Sequence, residues 1–466
     1  MQETDDKIIV KNPATGSIVG EVVRGRAEDV RDAVDTALLS SDLWAMKKPV
    51  ERGKILFKSA AAVRARQNDL ARLLTSEQGK PLAEAKNEIQ GFANILEFYA
   101  SVSGTISGSS LPKSDYGYAF TKKEPLGVCG AIIPWNMPAI IMGWKVGPAL
   151  AAGNTLVLKP ASSTPLTNMR LAEIMNESGL PEGVLNIVCG SGKEAGAEIV
   201  RNKKISAVSF TGSAETGIEV SKLAAGTFKK MTLELGGSDP MVVCSDADID
   251  LAVSGAVSGR FYNCGQTCTA VKRLYVFEDV ADEFISKLKE KTEKMTIGDG
   301  SAKGTRMGPL HSREGRDGIT DVISETVDKG KAEVLTGGYI PTGEDFDAGN
   351  FLMPTVLTGV SPDSRVLNEE IFGPVLPVMT VSGMDEAVIE ANKTRFGLGA
   401  SVWTKSIKNA SDFAESVDAG IVWVNRHLKV PPEIPFGGEK SSGTGRENGL
   451  FALERYMKEK TVIVSP

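Results

Sequence analysis

Between residues 154 and 235, short runs of β-branched and other apolar residues alternate with longer segments whose apolar residues recur at helical spacing. The short runs have the length of strands, and the longer segments have the length and period of amphipathic helices. Strands that alternate with helices build a parallel sheet with helices on both faces. The predicted elements are strand Asn154–Lys159, helix Thr167–Ser178, strand Val184–Val188, helix Lys193–Arg201, strand Ala207–Phe210, helix Ala214–Ala225 and strand Met231–Leu235.

A second series of the same kind starts near Asp246. Its predicted elements are strand Arg273–Phe277, helix Ala281–Glu293 and strand Ala332–Leu335. Between the two series, the segment that begins at Glu234 has the glycines and proline of a crossover, so we place a domain boundary there. A chain of 466 residues exceeds the size of about 250–300 residues at which a single core stops growing. The predicted fold class is therefore α/β, with two doubly wound domains.

Two further segments have the pattern of strands outside these sheets. Residues 104–124 are rich in Ser, Gly and Thr and end in the alternating Tyr116-Gly-Tyr-Ala-Phe-Thr-Lys122, which predicts a projecting hairpin. The tail Lys460–Val464 predicts a terminal strand. Edge strands pair with a partner chain or are covered, so both an oligomer and simple surface decoration remain open.

Composition narrows the possible partners. The apolar and charged fractions are 41% and 24%, and the net charge of −6 gives no electrostatic case for nucleic acid, so we expect a small-molecule partner. The apolar stretch from Leu126 to Leu158 is interrupted by prolines, asparagines and Lys145, which predicts buried elements of an α/β domain and no membrane span. The acidic N-terminus has no apolar stretch of signal-peptide length, so a cytoplasmic protein is expected.

Cysteine and histidine usage restricts the chemistry. Five cysteines, an odd number in a long chain, favour reduced thiols, and their spacing predicts no metal site. The histidines are His311 and His427, and neither has the context of a cysteine hydrolase, whose nucleophile needs a histidine partner. Carboxylate-assisted thiol chemistry is therefore the leading hypothesis.

Three residues have settings suited to the addition of a thiol to a carbonyl. Cys268 follows a polar, glycine-containing segment in which dipoles can favour the thiolate, although buried packing is the alternative, and Cys264 is expected to pack or to modulate. Glu234 is either a base whose pKa is raised by desolvation or a salt-bridged carboxylate at a strand end. Asn136, in a loop between two prolines, is either a donor to the oxyanion together with the Cys268 N–H or a turn residue.

A glycine-containing loop offers a phosphate site. Phe210-Thr-Gly-Ser-Ala-Glu-Thr-Gly217 follows a predicted strand and opens a helix, where free N–H groups and the helix dipole suit a diphosphate. Gly190-Ser-Gly-Lys-Glu-Ala-Gly196 is a competing loop of the same quality, and glycines at such turns also occur for structural reasons.

Seven ordered motifs together resemble the aldehyde dehydrogenase superfamily, and the resemblance extends from Asn12-Pro-Ala-Thr-Gly16 to the final strand. The motifs are Pro134-Trp-Asn136, Leu158-Lys-Pro-Ala161, Phe210-Thr-Gly-Ser213, Glu234-Leu-Gly-Gly237, Gly265-Gln-Thr-Cys268, Glu369-Glu-Ile-Phe-Gly-Pro374 and Pro435-Phe-Gly-Gly438. The resemblance implies a dinucleotide-binding domain (1–103 and 125–233), a catalytic domain (234–434) and a β oligomerisation element (104–124 and 447–466). It also implies a homodimer or homotetramer.

The resemblance implies a non-acylating, NAD(P)+-dependent oxidation of an aldehyde to the carboxylic acid. Cys268 would carry a thiohemiacetal and then a thioester, Asn136 would stabilise the oxyanion, and Glu234 would activate water. Lys145 and Glu447 would complete a proton path to solvent.

The cofactor contacts are implied in the same way. The adenosine ribose would lie at Lys159, the diphosphate at Trp135 and Ser213, and the nicotinamide ribose and ring at Glu370 and Phe372. Many NAD-preferring members carry glutamate at the position of Ser162, so NADP+ is admissible or preferred here. The full set of implied cofactor residues is Trp135, Lys159, Ser162, Phe210, Gly212, Ser213, Gly217, Glu370 and Phe372.

The substrate is less determined. Succinic semialdehyde dehydrogenases resemble the chain around Lys159-Pro-Ala-Ser162, but they commonly carry an arginine where Trp144 stands, which disfavours a semialdehyde. An apolar tunnel, as in broad-specificity or betaine-aldehyde-like members, would be lined by Met137, Trp144, Tyr262 and Phe436. Core packing is the alternative for Met137 and Tyr262. Arg426 would select a hydroxylated or anionic aldehyde such as lactaldehyde, or it is a solvated loop charge.

Three other functions stay open at this point: a coenzyme A-dependent acylating dehydrogenase, an acyl-phosphate reductase and a non-enzymatic structural relative. Coenzyme A-dependent relatives usually lack the base at Glu234. A structural protein would have no reason to retain nucleophile, oxyanion donor and base together.

Overall fold

The computed structural model describes residues 6–112, 115 and 117–465. The strands are β1 Lys7–Lys11, β2 Ile18–Val23, β3 Tyr118–Pro125, β4 Val128–Ile132, β5 Thr155–Lys159, β6 Leu185–Ile187, β7 Ala207–Thr211, β8 Lys230–Glu234, β9 Asp239–Val243, β10 Val271–Phe277, β11 Glu333–Thr336, β12 Thr355–Thr358, β13 Val375–Val381, β14 Phe396–Gly397, β15 Gly399–Trp403, β16 Ile421–Val424, β17 Glu439–Lys440, β18 Gly443–Thr444 and β19 Met457–Val464. The α-helices are α1 Ala27–Met46, α2 Pro49–Ala65, α3 Gln67–Gln78, α4 Leu82–Val102, α5 Pro138–Ala152, α6 Leu166–Glu177, α7 Ala197–Arg201, α8 Ala214–Ala224, α9 Ile249–Phe261, α10 Glu278–Glu293, α11 Arg313–Asp328, α12 Arg365–Asn368, α13 Met384–Asn392, α14 Ile407–Ser416 and α15 Gly449–Arg455.

The first large sheet has the strand order β18-β8-β7-β4-β5-β6, and its pairs are parallel except β18 with β8. From β4 the chain runs outward to β6 on one side and then from β7 to β8 on the other, so the topological switch point lies between β4 and β7. Helices α1, α7 and α8 pack on one face, and α2, α4, α5 and α6 pack on the other. The doubly wound sheet predicted from residues 154–235 is confirmed.

The second large sheet has the order β11-β12-β13-β10-β9-β15-β16, and its pairs are parallel except β11 with β12. Helices α9, α10 and α11 cover one face, and α13 and α14 cover the other. The central strands are buried on both faces, as parallel strands between two helical layers must be. The predicted α/β class with two doubly wound sheets is confirmed.

The apolar stretch from Leu126 to Leu158 forms β4, α5 and β5. Nearly every residue of α5 is buried, since the helix lies between the sheet and α4. Among the residues that the structure describes, no helix is both long and apolar enough to cross a membrane.

The predicted terminal strand is present as β19, which pairs antiparallel with β3 from Tyr118 opposite Val464 to Pro125 opposite Met457. On the other edge of β3, the N–H of Leu111 donates to the carbonyl of Ala119 over 2.9 Å, which gives the predicted hairpin its second side. Tyr116, at which the predicted alternation begins, lies outside the described residues, and so does the N-terminal segment 1–5.

The predicted boundary at Glu234 coincides with the end of β8, and β9 then starts in the second sheet at Asp239. The chain later returns to the first sheet, because β18 pairs with β8 and α15 packs into the core against α5. The segment 447–466, predicted as an oligomerisation element, therefore includes a helix of the first core, since Ala452 and Leu453 are buried there. The division into functional domains stays a prediction.

Candidate active site

A cavity of about 230 Å³ opens at the carboxyl ends of β4 and β7, at the switch point of the first sheet. Ligands of doubly wound sheets bind in this crevice, because the connections diverge there and leave room. Of the residues predicted from sequence, it is lined by Trp135, Asn136, Gly212, Ser213, Cys268, Glu370 and Phe372. The fold thus brings the proposed nucleophile, the proposed oxyanion donor and five proposed cofactor residues to one cavity.

The segment that carries Cys268 is shaped by a turn at the end of α9. Asn263, Cys264 and Gly265 all have positive φ, at 51°, 57° and 73°. A Cβ at Gly265 would clash with the carbonyl of Gly373, and the left-handed conformation costs a residue such as Cys264 about 1–2 kcal/mol. The turn is held by Glu84, whose carboxylate accepts from the N–H of Asn263 over 2.9 Å.

Asn136 is tied to the same turn by hydrogen bonds. Its Nδ2 donates to the carbonyl of Gln266 over 3.0 Å. In return, Asn263 Nδ2 donates to the carbonyl of Asn136 over 2.9 Å. An amide nitrogen has two hydrogens, so one N–H of Asn136 remains for an oxyanion at the cavity, as the sequence predicted.

A buried lysine that the sequence analysis did not find supports the Asn136 loop. Lys80 forms an ion pair with Glu88, both side chains being fully buried, and its Nζ donates to the carbonyl of Asn136 over 2.8 Å. The same Nζ lies 3.2 Å from Met137 Sδ. Glu88 also accepts from the N–H of Ala139 over 2.8 Å and so caps the start of α5. Nothing in the local pattern marks these charges as buried.

Burial and the Glu234 carboxyl raise the pKa of the Cys268 thiol above its usual range. The Lys272 ammonium opposes this rise in pKa. Its Nζ donates to the carbonyl of Cys268 over 2.6 Å. The expectation that local dipoles favour the thiolate is therefore wrong for this structure, because desolvation and acidic neighbours dominate. Lys272 is a second site residue that the sequence analysis missed.

Glu234, at the carboxyl end of β8, is buried, and neither of its carboxylate oxygens has a hydrogen-bond partner within the described part of the chain. Burial raises its pKa well above the ordinary value, and the Lys145 ammonium opposes this. The direction agrees with the expectation of a desolvated base.

Lys145 and Glu447 form a buried ion pair of 2.7 Å. Lys145 Nζ also donates to Thr211 Oγ1 over 2.7 Å, and Ser209 Oγ donates to the Glu447 carboxylate over 2.7 Å. The structure therefore brings together two predicted residues and adds two hydroxyl groups that no motif indicated.

Lys159 and Ser162, predicted at the adenosine ribose, meet at one carbonyl group. Lys159 Nζ and Ser162 Oγ each donate to the carbonyl of Gly190 over 3.1 Å. Burial lowers the pKa of Lys159 to about 8. Gly190 belongs to the loop that competed with residues 210–217 in the sequence, so both loops contribute to this region.

Ser213 is the N-cap of α8, and its Oγ accepts from the N–H of Thr216 over 3.2 Å. The first N–H groups of α8 consequently face the cavity side without a helical partner, which suits a phosphate. Phe210 does not line the cavity, since it packs in the core where a Cβ at Gly212 would meet its ring. Gly217 likewise packs against Leu235.

The predicted substrate residues are only partly assembled. The rings of Trp144 and Phe436 lie 5.0 Å apart in the first core, and Met137 and Cys268 pack at its edge. Tyr262 is partly buried at the turn after α9, whereas Arg426 is exposed on the loop after β16.

Both histidines are structural contacts of the site. His427 Nε2 lies 2.7 Å from the carbonyl of Thr269, which joins the loop of Arg426 to the Cys268 segment. His311 stacks on Trp135 with 4.5 Å between the ring centroids. Burial lowers the pKa of each imidazole to about 4, so both are neutral near pH 7.

The five cysteines are free thiols, and Cys264 is buried in the second core. Within the described residues, no group of three or more His, Cys, Asp and Glu side chains could hold a metal ion.

Comparison with known proteins gives consistent matches along the chain. The sequence profile of the aldehyde dehydrogenase family matches residues 1–462. A phenylacetaldehyde dehydrogenase from Pseudomonas fluorescens is 40% identical and aligns over 99% of this chain and 93% of its own length. A betaine aldehyde dehydrogenase from Mesorhizobium japonicum is 41% identical over 97% of this chain and 92% of its own.

Solved structures share the fold closely. An E. coli enzyme described as NADP dependent has a TM-score of 0.96 at 39% identity, and it covers 99% of this chain and 95% of its own. PnpE in complex with nicotinamide adenine dinucleotide has a TM-score of 0.97 at 35% identity, with 98% and 94% covered. A succinate-semialdehyde dehydrogenase from Burkholderia pseudomallei has a TM-score of 0.96 at 40% identity, with 99% and 95% covered. The chain belongs to the aldehyde dehydrogenase family.

Proposed function

We propose that the protein oxidises an aldehyde to the carboxylic acid with NAD+ or NADP+, through a thioester on Cys268. The observation that carries the proposal is the cavity at the switch point, which joins Cys268 and Asn136 to Ser213, Glu370 and Phe372. An acylating or hydrolytic thiol enzyme would not need Glu234 buried beside the thiol and a helix N-terminus at the same cavity.

The side chains have distinct roles in this reaction. Cys268 Sγ bonds to the carbonyl carbon, and the free N–H of Asn136 stabilises the oxyanion that forms. When bound, NAD(P)+ accepts the hydride, which leaves a thioester on Cys268. Glu234 then takes a proton from water, so that hydroxide attacks the thioester and releases the acid and the thiol. Lys145 and Glu447 lie close enough to shift the Glu234 pKa, which supports their place on its proton path.

The residues present fit a dinucleotide. The uncapped N–H groups of α8 suit the diphosphate, and Glu370, partly exposed at the cavity, suits the hydroxyl groups of the nicotinamide ribose. At the adenosine ribose, Lys159 and Ser162 present an ammonium and a hydroxyl group with no carboxylate on that segment. NADP+ is therefore admissible, and we infer that it is used at least as well as NAD+.

An apolar aldehyde is the favoured substrate class. The contact between Trp144 and Phe436 beside Cys268 supports an aromatic-lined path, and relatives include enzymes for phenylacetaldehyde and betaine aldehyde. Hydroxylated aldehydes are the second candidate, because His427 holds the loop of Arg426 against the Cys268 segment. A homodimer or homotetramer is also proposed, since the outer edge of β19 carries exposed Ile463 and Val464.

The test is the absorbance of reduced cofactor in a panel of apolar, hydroxylated and carboxylated aldehydes, each with NAD+ and with NADP+. The wild type is compared with Cys268→Ala and with Cys264→Ala as the matched cysteine control. We expect activity in the wild type and in Cys264→Ala and loss of at least about a thousandfold in Cys268→Ala. Full activity in Cys268→Ala would refute the mechanism, and a best rate with a carboxylated aldehyde would refute the substrate class.

A further inference from the structure

Lys272 is a buried ammonium group between the nucleophile segment and the cofactor segment. It is the second residue of β10 and only 3% exposed. Its Nζ donates to the carbonyl of Cys268 over 2.6 Å and to Glu370 Oε1 over 3.1 Å, and it lies 5.7 Å from the centre of the Phe372 ring. Burial of a lysine is costly unless its charge is used, so these contacts call for an explanation beyond packing.

The contact with Glu370 orients a carboxylate. Oε1 accepts from both Lys272 Nζ and the N–H of Gly237, each over 3.1 Å. Within the described residues, no donor from the protein reaches Oε2. Glu370 is thus anchored through one oxygen and keeps the other for a ligand at the cavity that it lines.

The segment is also held from its other end. Arg260, fully buried in α9, donates to the carbonyl groups of Ile371 and Gly373. Removal of the Lys272 charge therefore leaves residues 371–373 attached to the protein, and the loss is confined to Glu370 and to the Cys268 carbonyl.

The charges around the Cys268 thiol come from four parts of the fold. Glu234 at the end of β8, Asp239 at the start of β9 and Glu370 before β13 all raise its pKa, and Lys272 on β10 lowers it. Without Lys272, three carboxyl groups would face the thiol with no opposing charge from β10.

We propose that Lys272 is a positioning residue through which one cation orients Glu370 for the cofactor and keeps Cys268 reactive. The cofactor half of the proposal rests on the proposed function, in which Glu370 contacts the nicotinamide ribose. The thiol half does not, because thiol reactivity is measured without cofactor or substrate.

The thiol half is tested by the rate of alkylation of Cys268 with iodoacetamide as a function of pH, in Lys272→Met and Lys272→Arg. Lys303→Met, at an exposed lysine, is the matched control. We expect the pH midpoint of Lys272→Met to rise by about one unit, since a neighbouring opposite charge shifts a pKa by about 1–3 units, and Lys272→Arg to recover at least half of that shift. A purely structural lysine would lower the unfolding midpoint in urea and leave the pH midpoint unchanged, and that result would overturn the proposal.

The cofactor half is tested by steady-state kinetics of the same variants. We expect the KM for NAD(P)+ to rise about tenfold in Lys272→Met, with the KM for the aldehyde within about twofold of the wild type. An unchanged KM for the cofactor would overturn this half. Failure of the proposed function itself would be seen separately, as an inactive wild type or an active Cys268→Ala.

Discussion

The buried pair of Lys145 and Glu447 gives the sharpest stability prediction. The two side chains are 0% and 2% exposed, and Ser209 supplies one further hydrogen bond to the carboxylate. In Lys145→Met, the Glu447 carboxylate stays buried with that single hydroxyl donor. Breaking such a pair from one side costs about 3–5 kcal/mol, because it leaves an uncompensated charge in a medium of low polarity.

The expected thermal shift follows from that free energy. For domains of about 150–250 residues, 1 kcal/mol corresponds to about 2–4 °C in Tm, so Lys145→Met and Glu447→Gln should each lower Tm by about 6–20 °C. The double variant carries no unpaired charge, so its Tm should lie above that of the less stable single variant. The size of this non-additivity measures the coupling of the pair.

The assay is differential scanning calorimetry at pH 7 and one fixed scan rate, since large proteins unfold irreversibly and Tm then depends on the rate. Lys222→Met, which breaks an exposed pair with Glu219, is the control and should shift Tm by less than about 3 °C. Single variants no less stable than this control would refute the reasoning, and so would additive losses in the double variant.

The other predictions concern catalysis, cofactor choice and pH. Glu234→Gln should give a burst of reduced cofactor followed by a rate at least about a hundredfold below the wild type, and the deacylation rate of the wild type should rise with pH, since burial raises the pKa of Glu234 and the base is its ionised form; absence of a burst in a folded variant would place its role before the thioester. Ser162→Glu should lower the ratio of kcat/KM for NADP+ over NAD+ at least about tenfold, or about 1.4 kcal/mol, by repulsion of the 2′-phosphate, and an unchanged ratio would remove Ser162 from the ribose site. Burial raises the pKa of Glu84 from 4.5 to about 8, so the folded protein holds more protons than the unfolded chain in this window and its unfolding free energy falls as pH rises through it. Glu84→Gln should remove up to about 1.4 kcal/mol per pH unit of that fall in urea titrations at pH 5 to 8, and parallel profiles of variant and wild type would contradict this.

Local sequence was sufficient for the elements and for the family. The helix predicted at Ala214–Ala225 is α8, and the strand predicted at Met231–Leu235 is β8, because periods of 3.6 and 2 residues are properties of the chain itself. The same local character made the motifs around Asn136 and Cys268 recognisable. One predicted helix, Lys193–Arg201, begins with a π-helical turn at Gly192–Gly196, where two glycines relax the usual spacing.

What the chain could not show is where its charged side chains lie. Lys80 and Lys272 have the sequence setting of solvated residues, yet both are buried at the site, and Glu447 is paired with a lysine 302 residues away. The direction of the Cys268 pKa shift likewise depends on residues from four parts of the fold. Hydrophobic period acts between near neighbours in sequence and can be read there, whereas desolvation and Coulomb energy depend on distances in space, which only the packing of the two sheets determines.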